Sequence, residues 1–415
     1  YHLAAMSAVY IFSSLFAQTY FSSGTGGLRR FAFLWNASYA AMALVMLSNN
    51  VVLMWIGIEA TTLITAFMIY TNRTAFALEA MWKYLIICSV GVAFAFIGTI
   101  LFIAAGSGAQ GGTSGMLFWT WLRENSTGFK PVLVKAAFIF LLIGYGTKAG
   151  IAPMHTWLPD AHSQAPAPVS ALFSGFLLNA ALYCILRFLP ITEKALGGSG
   201  WASGILAGFG VFSVVLAAGF IVFQRDLKRM LAYSSIEHIG IMCVGFGLGG
   251  AGAFAALFHM AGHMLAKPLA FFSAGRIGQI YGTYDMDKIT GTGKVTRIWS
   301  FGLFGSLLAL SGVAPFAMFM SELGIVRKAV AAGRWALLIL MLLGAVVAFI
   351  GIIKRCLSFV FEGPPHEAVP VRATLLEAVI VIVPLAVLLG LGLVMPEFLR
   401  GFIENAARIT GGGLP

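Results

Sequence analysis

Four ionisable side chains of this sequence lie inside long apolar stretches: Glu59, Lys148, Lys267 and Glu322. A charge near the centre of a bilayer costs at least about 2.5–3.5 kcal/mol on insertion scales, so such residues rarely persist without a use. Acids and lysines both bind protons reversibly, and moving an acid relative to a lysine changes how tightly the lysine holds its proton. The four residues therefore predict sites at which protons are held and released within a membrane.

Three histidines extend this set. His259 and His263 precede Lys267 at the spacing i, i+4, i+8, and residues at that spacing lie along one face of a helix. His238 lies about two turns into another apolar stretch, AYSSIEHIGIMCVGFG. Because histidine titrates near neutral pH, it can pass protons on without a large rearrangement. The pattern favours a polar stripe that faces a hydrated interior.

Plainer interpretations of the same residues remain open. A single buried histidine often serves only as a hydrogen-bond partner between helices, and a buried Lys–Glu pair can be purely structural. His259 and His263 could instead bind a metal ion, but no acidic third ligand stands at the HExxH spacing, and we predict no metal site. No glycine-rich phosphate loop lies between a strand and a helix, so we also predict no cofactor.

The composition places these side chains in a membrane protein. The chain is 60% hydrophobic and 10% charged, whereas soluble domains carry roughly 25% charged residues. In lipid every backbone amide must be satisfied within its own segment, which favours helices. We predict an all-α, polytopic transmembrane bundle that forms one membrane domain over residues 1–415. The predicted spans are 3–21, 31–48, 50–70, 83–105, 134–150, 167–188, 201–223, 230–249, 252–274, 298–325, 335–360 and 374–396.

Two Gly–Pro interruptions divide apolar runs. AGIAP at 149–153 recurs as SGVAP at 311–315, and paired interruptions in corresponding places are typical of transporters built from inverted repeats. PMHTWLPDAHSQAP at 153–166 is too polar and proline-rich for an ordinary span, so we expect a broken helix followed by a re-entrant turn. We predict two approximate inverted halves, 31–188 and 201–360, although a five-residue echo also arises by chance in a Gly/Ala-rich chain.

The formal charge of +11 is spread over the ends of the apolar runs. This argues against nucleic-acid binding and for control of topology and contact with lipid headgroups. Lys and Arg are more frequent in alternate loops, around 22–30, 71–82, 154–166, 224–229, 275–297 and 354–373. By the positive-inside rule those loops are predicted to be cytoplasmic, with Tyr1 on the outside.

Other polar features receive structural interpretations. Five charged residues near span ends are predicted to extend toward the membrane surface: Glu79, Lys83, Asp226, Lys228 and Arg229. The Gly/Ser-rich stretch 106–130 is predicted to be a connection between spans. The four cysteines are widely spaced without a CxxC pair, which supports neither a metal site nor an iron–sulfur cluster.

Three long motifs make the chain similar to a known family. KAGIAPMHTWLPDAHSQAPAPVSALFSG at 148–175 resembles the signature around the broken seventh helix of the antiporter-like subunits of respiratory complex I. QRDLKRMLAYSSIEHIG at 224–240 and HMAGHMLAKPLAFFSAG at 259–275 resemble that family's ninth-to-tenth helix connection and eleventh helix. MWKYLIICSVGVAFAFIGT and WIGIEATTL look most like component F of hydrogenase-4 and its relatives in membrane-bound hydrogenases and formate hydrogenlyases. The resemblance leads us to expect an incomplete N-terminus, with two helices missing before Tyr1.

The resemblance also implies roles for individual residues. Glu59 matches the family's fifth-helix glutamate and Lys148 its seventh-helix lysine partner, so we expect the two to approach each other across a helix interface. His238 matches a central tenth-helix histidine. Lys267 matches the eleventh-helix lysine, and Glu322 matches the twelfth-helix acid of some members.

One position departs from the family pattern. Many members carry a lysine in the eighth helix, where this chain has Asn179, and a neutral amide can hold water but cannot store a proton. This puts either full pumping or a single fixed relay in doubt. The implied proton pathway is Glu59, Lys148, Asn179, His238, His259, His263, Lys267 and Glu322.

The resemblance implies a non-catalytic, proton-translocating subunit of a redox-driven complex. That complex is expected to be a group 4 membrane-bound nickel–iron hydrogenase or a related complex I-like oxidoreductase, with the redox chemistry in partner subunits and the chain in the cytoplasmic membrane. Two other classes remain: a subunit of a stand-alone multisubunit cation/proton antiporter, and a proton-coupled partner in inorganic-carbon uptake. Carboxylates and water carry both protons and sodium ions, so sodium stays an alternative cargo.

Overall fold

The computed structural model describes residues 2–21, 28–107, 115–363 and 370–410. These residues are almost entirely helical, and no β-strand forms within them. The α-helices are α1 His2–Tyr20, α2 Leu28–Leu47, α3 Val51–Ile69, α4 Ala75–Ala105, α5 Trp119–Asn125, α6 Pro131–Ala149, α7 Trp157–Gln164, α8 Ala167–Leu172, α9 Leu178–Ala195, α10 Trp201–Phe223, α11 Leu227–Leu248, α12 Ala251–Tyr281, α13 Thr292–Val295, α14 Arg297–Leu310, α15 Ala317–Ala331, α16 Trp335–Phe361, α17 Leu375–Leu393 and α18 Glu397–Thr410. A π-turn, Phe173–Leu177, joins α8 to α9.

Ten helical segments of the described residues are long and apolar enough to cross a membrane, and they match ten of the predicted spans. The remaining two predictions are 252–274 and 298–325. Helix α12 covers the first and carries the predicted His/Lys stripe. The second is wrong as a continuous span, because α14 ends at Leu310 and the chain resumes a helix only at Ala317. The Gly–Pro interruption within 298–325 is the cause, and the predicted polytopic bundle with broken helices is confirmed.

Three of the predicted loops lie partly outside the described residues. They are 22–30, 106–130 and 354–373. The described end of the second is not a plain connection, because it contains α5. The indole nitrogen of Trp119 donates to the carbonyl oxygen of Arg187 at 2.7 Å and so ties α5 to α9.

The bundle has a buried centre and an exposed, apolar periphery. The segment Ala167–Ala195 has 94% of its most apolar stretch buried inside the protein, whereas Trp335–Phe361 has only 28%. The outer helix α16 presents apolar side chains such as Leu343 and Ile350 outward. Most of the polar groups in apolar stretches, among them Lys148, His238 and Lys267, are buried inside the bundle away from this periphery.

Helices α10 and α11 pack unusually closely, which fixes the position of α11 at the centre. Gly210 and Gly240 face each other, and a Cβ atom on either would lie 2.6 Å from the carbonyl oxygen of the other. Small residues allow this approach of two backbones, which replaces the hydrophobic effect as a driving force between membrane helices. The contact lies two residues from His238, whose ring meets His259 on α12.

Candidate ion pathway

The first helix interruption places Lys148 at the end of a broken helix. Helix α6 ends at Ala149, and Gly150 adopts a left-handed conformation with φ 79°. The freed backbone groups find new partners: Ala152 N donates to Ser213 Oγ at 2.9 Å, and the indole of Trp157 donates to Thr147 O at 2.8 Å. Such irregular backbone is tolerated at membrane depth only inside protein or beside a cavity.

The second interruption has the same local structure. Helix α14 ends at Leu310, and Gly312 is left-handed with φ 64°. Each interruption includes a cis Ala–Pro peptide bond, Ala152–Pro153 in the first and Ala314–Pro315 in the second. The two copies of the sequence echo are therefore alike in backbone conformation, while the inverted relation of the halves stays a prediction.

Lys148 is buried and is held by hydroxyl groups. Its Nζ donates to Thr62 Oγ1 at 2.9 Å and to the hydroxyl oxygen of Tyr84. The hydroxyls of Tyr84 and Thr65 lie 2.6 Å apart, and Thr65 donates its proton to Thr61 O. Tyr84 must therefore donate to Thr65, which leaves the oxygen of Tyr84 free to accept from Lys148. The sequence argument missed Tyr84 because tyrosine is common in apolar helices.

Glu59 and Lys148 do not form the expected direct pair. No carboxylate in the described residues lies within 4.0 Å of Lys148 Nζ. Glu59 is half-buried, and its Oε1 accepts from Ser89 Oγ at 3.1 Å while Oε2 has no hydrogen-bond partner. The carboxylate still acts electrostatically on Lys148. The reason for the difference is that Thr62, one turn further along α3, lies closer to the ammonium.

The histidines form one buried cluster at the centre of the second half. His238 Nδ1 lies 3.1 Å from His259 Nε2, and His259 Nδ1 lies 2.9 Å from Ser321 Oγ. The rings of His238 and His263 have centroids 5.5 Å apart, and neither nitrogen of His263 has a hydrogen-bond partner. All three rings are buried, so the predicted stripe faces the protein interior.

The hydrogen bonds of the cluster have a definite direction when the rings are neutral. Ser321 donates its hydroxyl proton to Met318 O at 2.7 Å, and a carbonyl can only accept. The oxygen of Ser321 must therefore accept from His259 Nδ1–H. His259 Nε2 then accepts from His238 Nδ1–H, which leaves His238 Nε2 as a bare acceptor without a partner.

Lys267 continues the cluster toward the first half of the protein. Its Nζ is buried and donates to Leu231 O at 3.0 Å. Glu237 is 5% exposed, and both Glu322 and Lys267 act electrostatically on it. Glu237 was missed, although it directly precedes His238 in the sequence and was visible as an acid within a buried stretch.

Glu322 lies against the second interruption. A Cβ atom on Gly312 would be 2.4 Å from Glu322 Oε2, so the carboxylate touches the left-handed backbone of that glycine. The carboxylate is also near the histidines: ligand atoms of His238, His259 and Glu322 all lie within 4.8 Å of one another. This trio is close enough to hold a metal ion, with Glu322 as an acidic third ligand that the sequence spacing did not show. The absence of a metal site therefore stays a prediction.

Asn179 lies just after the π-turn Phe173–Leu177. Its Nδ2 donates to Gly175 O at 2.9 Å, and its Oδ1 is buried without a partner. The amide therefore satisfies a backbone carbonyl of the π-turn and leaves one acceptor free. Because the amide of Asn179 is neutral, this position cannot store a proton.

The span-end charges behave in two ways. Asp160 binds Lys83 at 3.1 Å and Arg229 at 2.6 Å, and Lys83 also binds Glu79 at 2.7 Å. This partly exposed network joins α4, α7 and α11. The prediction for Lys228 is wrong, because that side chain turns inward and is only 2% exposed.

The chain is similar to known proteins along most of its length. Residues 48–348 match the family described as NADH:quinone oxidoreductase/Mrp antiporter, TM. The chain is 41% identical to the hydrogenase-4 component F homolog of Methylacidiphilum infernorum, over 83% of this chain and 72% of that protein. It is 28% identical to hydrogenase-4 component B of Escherichia coli, over 93% of this chain and 60% of that protein.

Solved structures share the fold. A chain of the archaeal membrane-bound sulfane sulfur reductase superposes with a TM-score of 0.89 at 24% identity, covering 99% of this chain and 82% of that one. A chain of the Mrp complex from Dietzia sp. gives a TM-score of 0.84 at 19% identity, covering 98% and 82%. The chain therefore belongs to the NADH:quinone oxidoreductase/Mrp antiporter transmembrane family, and it is an antiporter-like membrane subunit of the kind found in complex I-like and hydrogenase-4 type complexes.

Proposed function

We propose that this chain translocates protons through the eight residues of the predicted pathway, as a subunit of a membrane-bound nickel–iron hydrogenase in the cytoplasmic membrane. The similarity to hydrogenase-4 component F supports the type of complex. The observation that carries the proposal is the directional chain from His238 through His259 to Ser321. Neutral histidines joined in this way pass a proton by exchanging it between their two nitrogens.

The transfer follows from the free acceptor on His238. A proton arriving at His238 Nε2 releases the Nδ1 proton to His259 Nε2, and His259 then releases its own Nδ1 proton. A carboxylate oxygen of Glu322 lies within 4.8 Å of a ring nitrogen of each of the two histidines, His238 and His259. One water molecule, or rotation of the Ser321 hydroxyl, can span that distance. Glu322 is half-buried beside the second interruption, where the proton leaves the cluster.

Two lysines hold protons ahead of this exit. Lys267 lies on the same helix face as His259 and His263 and acts electrostatically on His238. Lys148 holds the equivalent place in the first half, where its ammonium rests on Thr62 and Tyr84. Lys148 and Glu59 are not in direct contact, so a movement driven by the redox reaction can bring them together. A shorter distance between them would change how tightly Lys148 holds its proton.

The experiment that tests the proposal uses the whole complex in sealed vesicles. Proton uptake is followed with a pH-sensitive dye while redox turnover is measured in parallel. We expect uptake that depends on turnover and stops with an uncoupler. Turnover without proton uptake in intact vesicles would reject the proposal.

A stand-alone cation/proton antiporter is the second candidate, favoured by the similarity of the fold to an Mrp chain. The proteins that co-purify with the chain distinguish the candidates. Hydrogenase subunits support the proposal, a set of antiporter subunits supports the second candidate, and a large zinc protein supports the role in inorganic-carbon uptake.

A further inference from the structure

A polar vestibule opens beside the start of α11. It has a volume of about 480 Å³, and its mouth includes the exposed residues Asn72, Thr74 and Arg225. All three belong to loops that the positive-inside rule predicts to be cytoplasmic. Lys228 lies at the inner end of the vestibule. The pathway described above has no defined connection to this side, so the vestibule is a candidate for it.

Lys228 is a buried cation without a directly bound carboxylate in the described residues. Its Nζ donates to Ser163 O at 3.1 Å and to Ala165 O. Ser163 lies in the last turn of α7 and Ala165 directly follows that helix, and such terminal carbonyls have no partner within their own helix. The ring of Tyr284 lies 4.9 Å from the ammonium. Burial raises the pKa of the Tyr284 phenol, so the ring stays neutral and supplies no negative charge.

His162 is within electrostatic range of both this cation and the central one, Lys267. The ring is fully buried, and neither nitrogen has a hydrogen-bond partner. It stacks on Phe271, with centroids 4.7 Å apart and 13° between planes, which fixes its orientation. Lys228 and Lys267 are the two charged groups that act on the ring. A buried imidazole with both nitrogens free is costly unless it exchanges protons or holds water.

We propose that the vestibule is the port through which protons reach Lys267, with Lys228 and His162 as the intermediate carriers, and that Lys228 excludes sodium ions from it. This inference rests on the proposed function. It identifies the side of the membrane from which ions are taken up and the ion that is carried. Lysine can release one proton inward and take another from the vestibule. Histidine then passes the proton toward Lys267.

The exclusion of sodium follows from the same contacts. Carbonyl oxygens at the C-terminal ends of half-helices coordinate Na⁺ in transporters. Here the carbonyls of Ser163 and Ala165 already bind the ammonium of Lys228. Asp226 and Asp285 also line the vestibule and admit cations to it. At its inner end a sodium ion would meet the like charge of Lys228 in place of the carbonyl ligands, whereas a proton can be passed on by the ammonium itself.

Lys228→Arg tests the port within the intact complex. Arginine keeps the charge and can donate to the two carbonyls, but its guanidinium does not release a proton. We expect assembly with the partner subunits to persist and turnover-driven proton uptake into vesicles to fall by about 100-fold, the lower end of what a positioned proton-transfer group contributes. Wild-type uptake by Lys228→Arg would show that Lys228 only caps α7, and the proposal would fail.

Lys194→Met is the matched control. Lys194 also donates to two backbone carbonyls, Arg123 O at 2.9 Å and Glu124 O at 3.2 Å, but it lies on no proposed route. Its proton uptake should equal that of the wild type. A fall equal to that of Lys228→Arg would contradict the inference.

Sodium is tested separately with the unmodified complex. Replacing sodium by potassium should leave proton uptake unchanged, and no radioactive sodium should accumulate during turnover. Accumulation of sodium in step with turnover would overturn the exclusion by Lys228. A wild-type complex that turns over without moving protons would instead reject the proposed function itself, so the two failures are distinguishable.

Discussion

His238 Nδ1 and His259 Nε2 lie 3.1 Å apart, and this contact joins α11 to α12. The next contact, from His259 Nδ1 to Ser321 Oγ, joins α12 to α15 directly after the second interruption. One hydrogen-bonded chain therefore crosses three helices and ends beside Glu322. We expect these hydrogen bonds to conduct as a unit, because both nitrogens of His259 are engaged, one with each neighbour.

The first prediction is that His259→Leu blocks proton translocation. Leucine has a similar volume and leaves the apolar surroundings packed, but it cannot bind a proton. We expect proton uptake by the whole complex to fall by about 100-fold, while the complex still assembles. The measurement is dye-detected uptake into vesicles, normalised to redox turnover.

Met260→Leu is the control for this variant. Met260 is the next residue on α12 and is equally buried, and exchanges between Met and Leu usually cost less than about 1.5 kcal/mol. Uptake should stay at the wild-type level. Normal uptake by His259→Leu would mean that the histidine cluster only holds helices together.

The second prediction concerns Lys148→Met. The methionine keeps most of the aliphatic stem, so the fold should persist, but Thr62 and Tyr84 lose the ammonium that they hold. We expect proton uptake coupled to turnover to be abolished. Lys135→Met on the exposed face of the same helix is the matched control and should pump normally. Wild-type pumping by Lys148→Met would leave this lysine as a structural counter-charge.

The third prediction is that Glu59→Gln slows uptake without stopping it. The change removes the negative charge that acts on Lys148 but keeps an oxygen that can accept from Ser89. Because Glu59 makes no direct ion pair, we expect a smaller loss than in Lys148→Met and normal assembly. Single-turnover measurements of proton release resolve the two rates. A loss as complete as that of Lys148→Met would indicate that Glu59 itself carries the proton.

Much of the candidate site could be predicted from sequence because polar residues in apolar helices have few explanations. The spacing of His259, His263 and Lys267 placed them on one face, and the Gly–Pro echoes located both interruptions. These are local properties of the chain, and helix geometry converts them directly into position.

The contacts could not be predicted, because they depend on how helices are offset along one another. A shift of one turn along α3 gives Lys148 a hydroxyl partner at Thr62 in place of Glu59. Lys228 was expected to point outward like its neighbours, but the terminal carbonyls of α7 draw it inward. Sequence carries no signal for a partner that is a backbone carbonyl on a distant segment.

The last prediction is that Gly312→Ala damages translocation beyond its effect on stability. Alanine at φ 64° costs about 1–2 kcal/mol, and its Cβ would also lie 2.4 Å from Glu322 Oε2, so the carboxylate must move. Gly333→Ala separates the two effects, because Gly333 has φ 63° and nothing within 4 Å of the added atom. We expect both variants to unfold at a lower temperature, measured by circular dichroism of the detergent-solubilised complex. Only Gly312→Ala should lose proton uptake, because only there does the left-handed backbone lie against the proposed exit acid. Equal uptake by the two variants at a temperature where both are folded would show that Glu322 does not need its place against the second interruption.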